Sequence, residues 1–364
     1  MKPYVLIHCD YSEYTAALRA DARSGLFGQD LSLPSRWCFD GRGRRLFGRL
    51  AAGSHSRLFR AEAEVLTDCA TEFAEYTRAR HLIQLGPAGS VPPLLLADSL
   101  IAAGKLTAVS SLDTPHAEVP EYPAGFPRLD LRHVIADALR RLPELPDPPR
   151  LIHCPAAGFA TLDRGERLRL LTLLRDRCEP GDHLLVAAPL AEVPGGSAEF
   201  FDDPAGLGAE FNRNVLNVVN HTLDADVTCT AFEHVVSTPR PDRLELRLRA
   251  RVGLRIELRT LGFHIDVDQG RELRTFRLFG LSAETLSAEL ERTGFTVTES
   301  RHDRRELVTL ALAEAALTVR PSRARSRSSR RRPGSRSPAR SPRPPRSPRC
   351  RRSGRRSWEP RRGR

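Results

Sequence analysis

Apolar residues recur in short blocks through the middle of the chain. His81–Leu85 is an apolar run that stops at Gly86. Val91–Ala103 follows, with Leu94, Leu95, Leu96, Leu100 and Ile101 at helical spacing. Leu106–Val109, Leu129–Ala136, Leu151–Cys154 and His183–Ala188 read as further strands, and Asp113 and Asp137 lie just beyond the first two of these. Glu166–Arg177 carries Leu168, Leu170, Leu171, Leu173 and Leu174 and predicts a helix with one apolar face. Pro180-Gly181-Asp182 then reads as a turn. Strands separated by helices imply a parallel sheet with crossovers.

Beyond residue 200 the pattern changes. Ala209–His221 reads as a helix. Leu244–Ala250 and Leu254–Leu258 alternate strictly between apolar and charged, which predicts a half-exposed antiparallel pair turning at Gly253. Ser282–Thr293 returns to helix, with Ser282 as N-cap and Gly294 as the stop. Phe295–Glu299 and Leu307–Leu312 read as two closing strands. Alternating units, an interruption and a helix-strand-strand ending together predict an α/β fold, a doubly wound sheet with an inserted α+β second domain.

Charge divides the chain more sharply than periodicity does. The net charge is +12. Residues 321–364 hold eighteen Arg against the single acid Glu359, so this tail carries +17 and residues 1–320 carry −5. The tail is almost wholly Arg, Ser and Pro, cannot bury apolar surface, and is expected to stay disordered. Such Arg density binds phosphates without sequence readout, since only Trp358 could stack on a base. Nucleic acid is therefore a partner only through the tail, and the alternative is a solvated extension with no role.

Seven Cys stand at 9, 38, 69, 154, 178, 229 and 350, with no C-x-x-C pair and no His at zinc-ligand spacing. Reduced thiols and no metal are expected. The apolar run in the first ten residues is too short for a signal peptide, and no stretch reaches the length of a membrane span. These features predict a soluble, cytoplasmic protein without a membrane partner, and nothing points beyond a monomer.

Ligands of parallel α/β sheets bind beyond the carboxyl ends of the strands. Gly86 opens the loop Gly86-Pro87-Ala88-Gly89-Ser90, where backbone can approach a ligand closely. Asp113 can accept from both hydroxyls of a ribose, and Asp137 can hold an adenine amine. No Walker lysine and no strict G-x-G-x-x-G is present, so the set suits a nucleoside-bearing cofactor without a pyrophosphate. Each residue taken singly also reads as an ordinary turn residue.

Phe201–Asp226 combines the acidic pair Asp202-Asp203, the turn Gly206-Leu207-Gly208 and the Asn-rich run Asn212-Arg213-Asn214. This segment resembles the amino-acid pocket of the histidine-specific S-adenosylmethionine methyltransferases, which trimethylate the α-amine of histidine on the way to ergothioneine. The resemblance runs from about Ala16 to about Ala315. It takes in Leu33–Phe47, Phe232-Glu233-His234 and Arg243–Arg249. It implies a class I methyltransferase-like sheet, S-adenosyl-L-methionine as cofactor, and Gly86, Asp113 and Asp137 at the cofactor contacts. The boundaries it implies are an N-terminal segment (1–60) packing with the second domain, a Rossmann-like domain (61–196) and an inserted substrate domain (197–280). A return to the sheet (281–320) and the tail (321–364) complete the chain.

The chain departs from the family pattern at its ligands. Pro92 stands where the family has a lysine after its first loop. Phe39 and Phe201 stand for tyrosines, Phe159 for an asparagine, and Phe276 and Leu278 for a glutamate and a serine. A pocket for histidine must pair an amine, a carboxylate and an imidazole, and phenylalanines cannot do so. Two readings stay open. Either the chain methylates a different small amine or amino acid, of more apolar character, or it is an inactive binding protein whose basic tail contacts nucleic acid. His153, His221, His234 and His264 are potential bases, but no residue is assigned as catalytic.

Overall fold

The computed structural model describes residues 4–53, 56–86, 94–115, 129–191 and 198–315. Among the described residues, fourteen strands follow in chain order. They are β1 (Tyr4–Ile7), β2 (Leu31–Ser32), β3 (His81–Leu85), β4 (Ala108–Asp113), β5 (Asp130–Ile135), β6 (Arg150–Cys154) and β7 (His183–Pro189). Then come β8 (Phe232–Arg240), β9 (Arg243–Ala250), β10 (Leu254–Leu258), β11 (Phe263–Val267), β12 (Glu272–Phe279), β13 (Phe295–His302) and β14 (Val308–Ala315). The helices are α1 (Tyr11–Gly25), α2 (Gly41–Ala52), α3 (Arg57–Thr77), α4 (Leu94–Ala102) and α5 (Ala156–Phe159). They continue with α6 (Arg164–Arg177), α7 (Ala198–Phe201), α8 (Leu207–Leu223) and α9 (Ala283–Arg292).

The main sheet has the order β1-β5-β4-β3-β6-β7-β14-β13. Strands β1 to β7 of this sheet pair in parallel, and β14 and β13 run antiparallel at the far edge. This is the class I methyltransferase-like doubly wound layout expected from the sequence, with β1 added beside β5. Alternate residues on its strands feed two cores. Leu82, Val109, Leu131, Leu151 and Leu185 join one core with α3 and α4, and Ile83, Leu112, Val134, Ile152 and Leu184 join the other with α6 and α9. Burial on both faces is what makes these strands continuous apolar runs.

Local signals end these elements where the chain says they should. Asp163 and Glu166 form a reciprocal capping box at the start of α6, and Ser282 accepts from the Thr285 N–H to cap α9. After α9, Gly294 takes φ +91°, a left-handed turn that a side chain resists.

The second sheet has the order β2-β12-β9-β8, and β10 pairs with β11 alone. Here one expectation is corrected. Leu244–Ala250 and Leu254–Leu258 are both strands, but they do not pair across Gly253. β9 lies between β8 and β12, both antiparallel to it, whereas Leu254 faces Val267 on β11. Alternation reports a half-buried strand and its face; it carries no information about the partner. Leu244, Leu246 and Leu248 of β9 turn to α8, whose Phe211, Val215, Leu216 and Val219 form the apolar stripe.

The N-terminal helices α1, α2 and α3 are absent from the expectations above. α1 opens on a capping box of Asp10 and Glu13, and α2 on Asp40. Residues 316–364 lie outside the described residues, and so does the expectation of a disordered tail. Among the described residues, no helix is long and apolar enough to cross a membrane. Cys9, Cys38, Cys69, Cys154, Cys178 and Cys229 are free thiols.

Candidate cofactor and acceptor site

The strand order reverses at β3, which has β4 on one side and β6 on the other. A crevice opens outside the carboxyl ends at such a switch point. Gly86 follows β3 at φ +82°, and among the described residues a Cβ there would meet the Cα of Gly158 at 3.8 Å. Asp113 is the last residue of β4 rather than the loop beyond it, and Asp137 stands two residues past β5. All three line one cavity of about 160 Å³. Its walls are mainly apolar, with Leu85, Leu112, Ala136, Leu139, Leu162 and Leu170. Pro87–Ser90 and Pro92, the remainder of the first loop, lie outside the described residues.

Three arginines also line this cavity, and the sequence reading assigned none of them. Arg44, on the first turn of α2, forks onto Asp113: Nη1 donates to Oδ2 at 2.8 Å and Nη2 to Oδ1 at 2.5 Å. The same guanidinium donates to Thr114 Oγ1 at 2.7 Å and, through Nε, to the Phe39 carbonyl at 3.2 Å. Burial still pushes the Asp113 carboxyl above its ordinary value, with Arg44 and the Thr114 N–H pulling against it. Arg36 forks onto Asp21 at 2.7 and 2.5 Å and touches Asp137 more loosely, at 3.5 Å. Arg277, from β12, reaches Asp163 at 3.4 Å and sits over the Phe279 ring. These pairings span 69 and 101 residues of chain in the cases of Arg44 and Arg36. No local pattern in the sequence announces such contacts.

Tyr14 and Glu166 also line the cavity, with Ser35, Thr114 and Thr161. Burial holds the Tyr14 phenol well above its ordinary value and raises the Glu166 carboxyl, whose Oε2 accepts from the Asp163 N–H at 2.9 Å.

The four phenylalanines at ligand positions separate into two groups. Phe39 and Phe159 line the cavity. Phe201 and Phe276 do not; they are only 2% and 1% exposed. Their rings lie 5.2 Å apart and join Phe211, Phe39, Phe47, Phe200 and Phe59 in one cluster of tilted and edge-on rings. Leu278 is buried nearby in the same core. Both rings are thus packed in the aromatic core rather than presented to the cavity.

The histidines do not gather at the cavity. His234 Nε2 donates to the Phe201 carbonyl at 3.0 Å, and its Nδ1 accepts from Asn212 Nδ2 at 2.8 Å. His153 is buried beside Glu62, with Nε2 and Oε1 3.7 Å apart. His264 is exposed next to Arg255, and His221 is exposed on α8. Asp202 and Asp203 lie beside α8, where Asp203 accepts from the N–H groups of Leu207 and Gly208 at 3.1 and 2.6 Å and so fixes the helix start.

Comparison with known proteins gives a consistent result. A family model described as histidine-specific, SAM-dependent methyltransferase matches residues 18–315. The histidine N-alpha-methyltransferase of Mycobacterium tuberculosis (strain CDC 1551 / Oshkosh) is 33% identical over 287 residues, covering 76% of this chain and 89% of that protein. The enzyme of the same description from Mycolicibacterium smegmatis is 31% identical over 288 residues, covering 78% and 90%. Among solved structures, human N-acetylserotonin methyltransferase in complex with SAM aligns at a TM-score of 0.40 with 14% identity, covering 84% of this chain and 68% of that one.

Proposed function

Because the chain belongs to the histidine-specific, SAM-dependent methyltransferase family, we propose that it methylates a small amine or amino acid more apolar than histidine. The observation that carries this reading is the convergence of Gly86, Asp113 and Asp137 from three strand ends onto one cavity. S-Adenosylmethionine, when bound, supplies an electrophilic methyl group on its sulfonium. The residues present suit it. Gly86 leaves room for close backbone approach, Asp113 offers a carboxylate to the ribose hydroxyls, and Asp137 does so to the adenine amine. Leu112, Ala136, Leu139 and Leu162 offer an apolar wall to the base.

On this reading residues 61–196 and 281–320 hold the cofactor, and residues 1–60 with 197–280 hold the acceptor. The acceptor approaches over Phe39 and Phe159, whose rings exclude water and favour an amine in its neutral form. Arg277, paired with Asp163 only at 3.4 Å, stands at the same wall as a partner for an acceptor carboxylate.

A second reading is favoured by one observation. Phe201, Phe211 and Phe276 pack ring against ring at these positions, as in a binding protein that has lost its reaction. Calorimetric titration of the full chain with S-adenosylmethionine should give saturable heat; none at millimolar ligand would sink the cofactor assignment. A screen of amines and amino acids for S-adenosylhomocysteine release should find turnover with apolar acceptors. Robust turnover of histidine would overturn the acceptor assignment, and binding without release on any acceptor would establish the second reading.

A further inference from the structure

We propose that Arg44 is a latch on the ribose carboxylate, so that the cofactor binds only after this guanidinium has swung off Asp113. The inference rests on the cofactor reading above and goes beyond it, because it concerns what the site must give up.

A carboxylate offers about four lone-pair positions. Three are in use on Asp113 among the described residues. Oδ1 accepts from Arg44 Nη2 at 2.5 Å and from the Thr114 N–H at 2.8 Å, while Oδ2 accepts from Arg44 Nη1 at 2.8 Å. A ribose diol needs one free position on each oxygen, and these contacts already fill both positions of Oδ1. Both partners are largely removed from water, their side chains being 13% and 5% exposed. A forked, charge-assisted pair in such surroundings holds firmly. The cofactor and Arg44 therefore compete for the same oxygens.

The latch also has a mechanical connection. Asp40 caps α2, the helix that carries Arg44, by accepting from the Gly43 N–H at 2.7 Å. The same Oδ1 accepts from Asn214 Nδ2 of α8 at 2.6 Å. Asn214 is 1% exposed and cannot turn to solvent without moving the helix. A chain of contacts thus runs from α8, on the acceptor side, through Asp40 and α2 to Arg44 and Asp113. Displacement of α8 reaches the carboxylate through bonded and packed groups.

If the latch-open state is a minor fraction of the protein, the apparent dissociation constant equals the intrinsic one divided by that fraction. Removing the guanidinium should then tighten binding by about tenfold or more, if the open fraction is about a tenth or less. The opposing possibility is that Arg44 itself contacts the cofactor, in which case its removal weakens binding.

The test is calorimetric titration of the full chain with S-adenosylmethionine and with S-adenosylhomocysteine, comparing wild type, Arg44→Met and Arg44→Lys. Arg44→Met keeps the apolar stem and leaves Asp113 unpaired. Arg44→Lys keeps a charge but loses the fork, and it carries the test if Arg44→Met does not fold. The expected result is about tenfold tighter binding by Arg44→Met, and a smaller gain by Arg44→Lys, for both ligands. Unchanged or weaker binding by the folded variants, with wild type binding normally, overturns the latch and leaves the cofactor reading intact. Heat from the variants alone supports the latch in its strongest form. No heat from any of the three removes the cofactor reading and the latch together.

Discussion

Phe276 shows why substitution at a ligand position has to be read in three dimensions. Its neighbours are rings, not solvent: Phe201 at 5.2 Å, Phe211 at 5.8 Å and Phe39 at 6.2 Å between centroids. An apolar residue in an open pocket and the same residue in a sealed core differ in what truncation costs. A sealed core is left with a cavity, and Phe→Ala then costs about 3–5 kcal/mol. Phe276→Ala is expected to show a loss of that size in urea unfolding of the full chain. A loss below about 1 kcal/mol would mean that Phe276 borders open space, and would reopen an apolar acceptor pocket there. Phe39 and Phe159 are buried as well, at 7% and 2% exposure, but they differ in lining the cavity.

At the scale of elements, His234 ties three pieces together. It lies on β8, donates to the carbonyl of Phe201 on α7, and accepts from Asn212 on α8. A carbonyl can only accept, so Nε2 carries the proton and Nδ1 is bare. Asn212 is fixed in turn, since its Nδ2 also donates to the Arg247 carbonyl at 2.9 Å and its oxygen accepts from Thr275 Oγ1. Burial lowers the His234 pKa, the Phe201 carbonyl and the nearby Asp202 opposing it. The folded state therefore binds the second proton less readily than the unfolded chain. The contribution is fully present above the unfolded value of about 6.5 and is lost as pH falls through the lower, folded value. Unfolding between pH 7.5 and 5 should show wild type losing stability more steeply than His234→Gln. Parallel slopes would show that this joint does not titrate in that window.

For the whole molecule, the charge is distributed as two opposite bodies in one chain. Residues 321–364 carry +17 against −5 for residues 1–320. Polycationic segments bind nucleic acid by releasing counterions, with affinity falling steeply as salt rises. Fluorescence anisotropy with a labelled DNA duplex should show binding by the full chain at low salt that is lost at high salt. Residues 1–320 alone should bind at least about tenfold more weakly. Equal affinity for the two proteins would exclude any tail-driven contact with nucleic acid.

Sequence by itself determined the parallel sheet, because strands buried on both faces must be apolar throughout and their crossovers must follow the helical period. It also placed Gly86, Asp113 and Asp137 at strand ends, since a parallel sheet brings its carboxyl ends to one edge. The Asn-rich helix α8 and the cap Ser282 were legible for the same local reason. Tertiary structure alone decided three matters. It set the partners of β9 and β10, which alternation leaves open. It separated Phe201 and Phe276, packed in the core, from Phe39 and Phe159, on the cavity wall. And it brought Arg44 onto Asp113 across 69 residues. Each depends on which distant surfaces meet, and the free energy of that meeting belongs to no single segment of the chain.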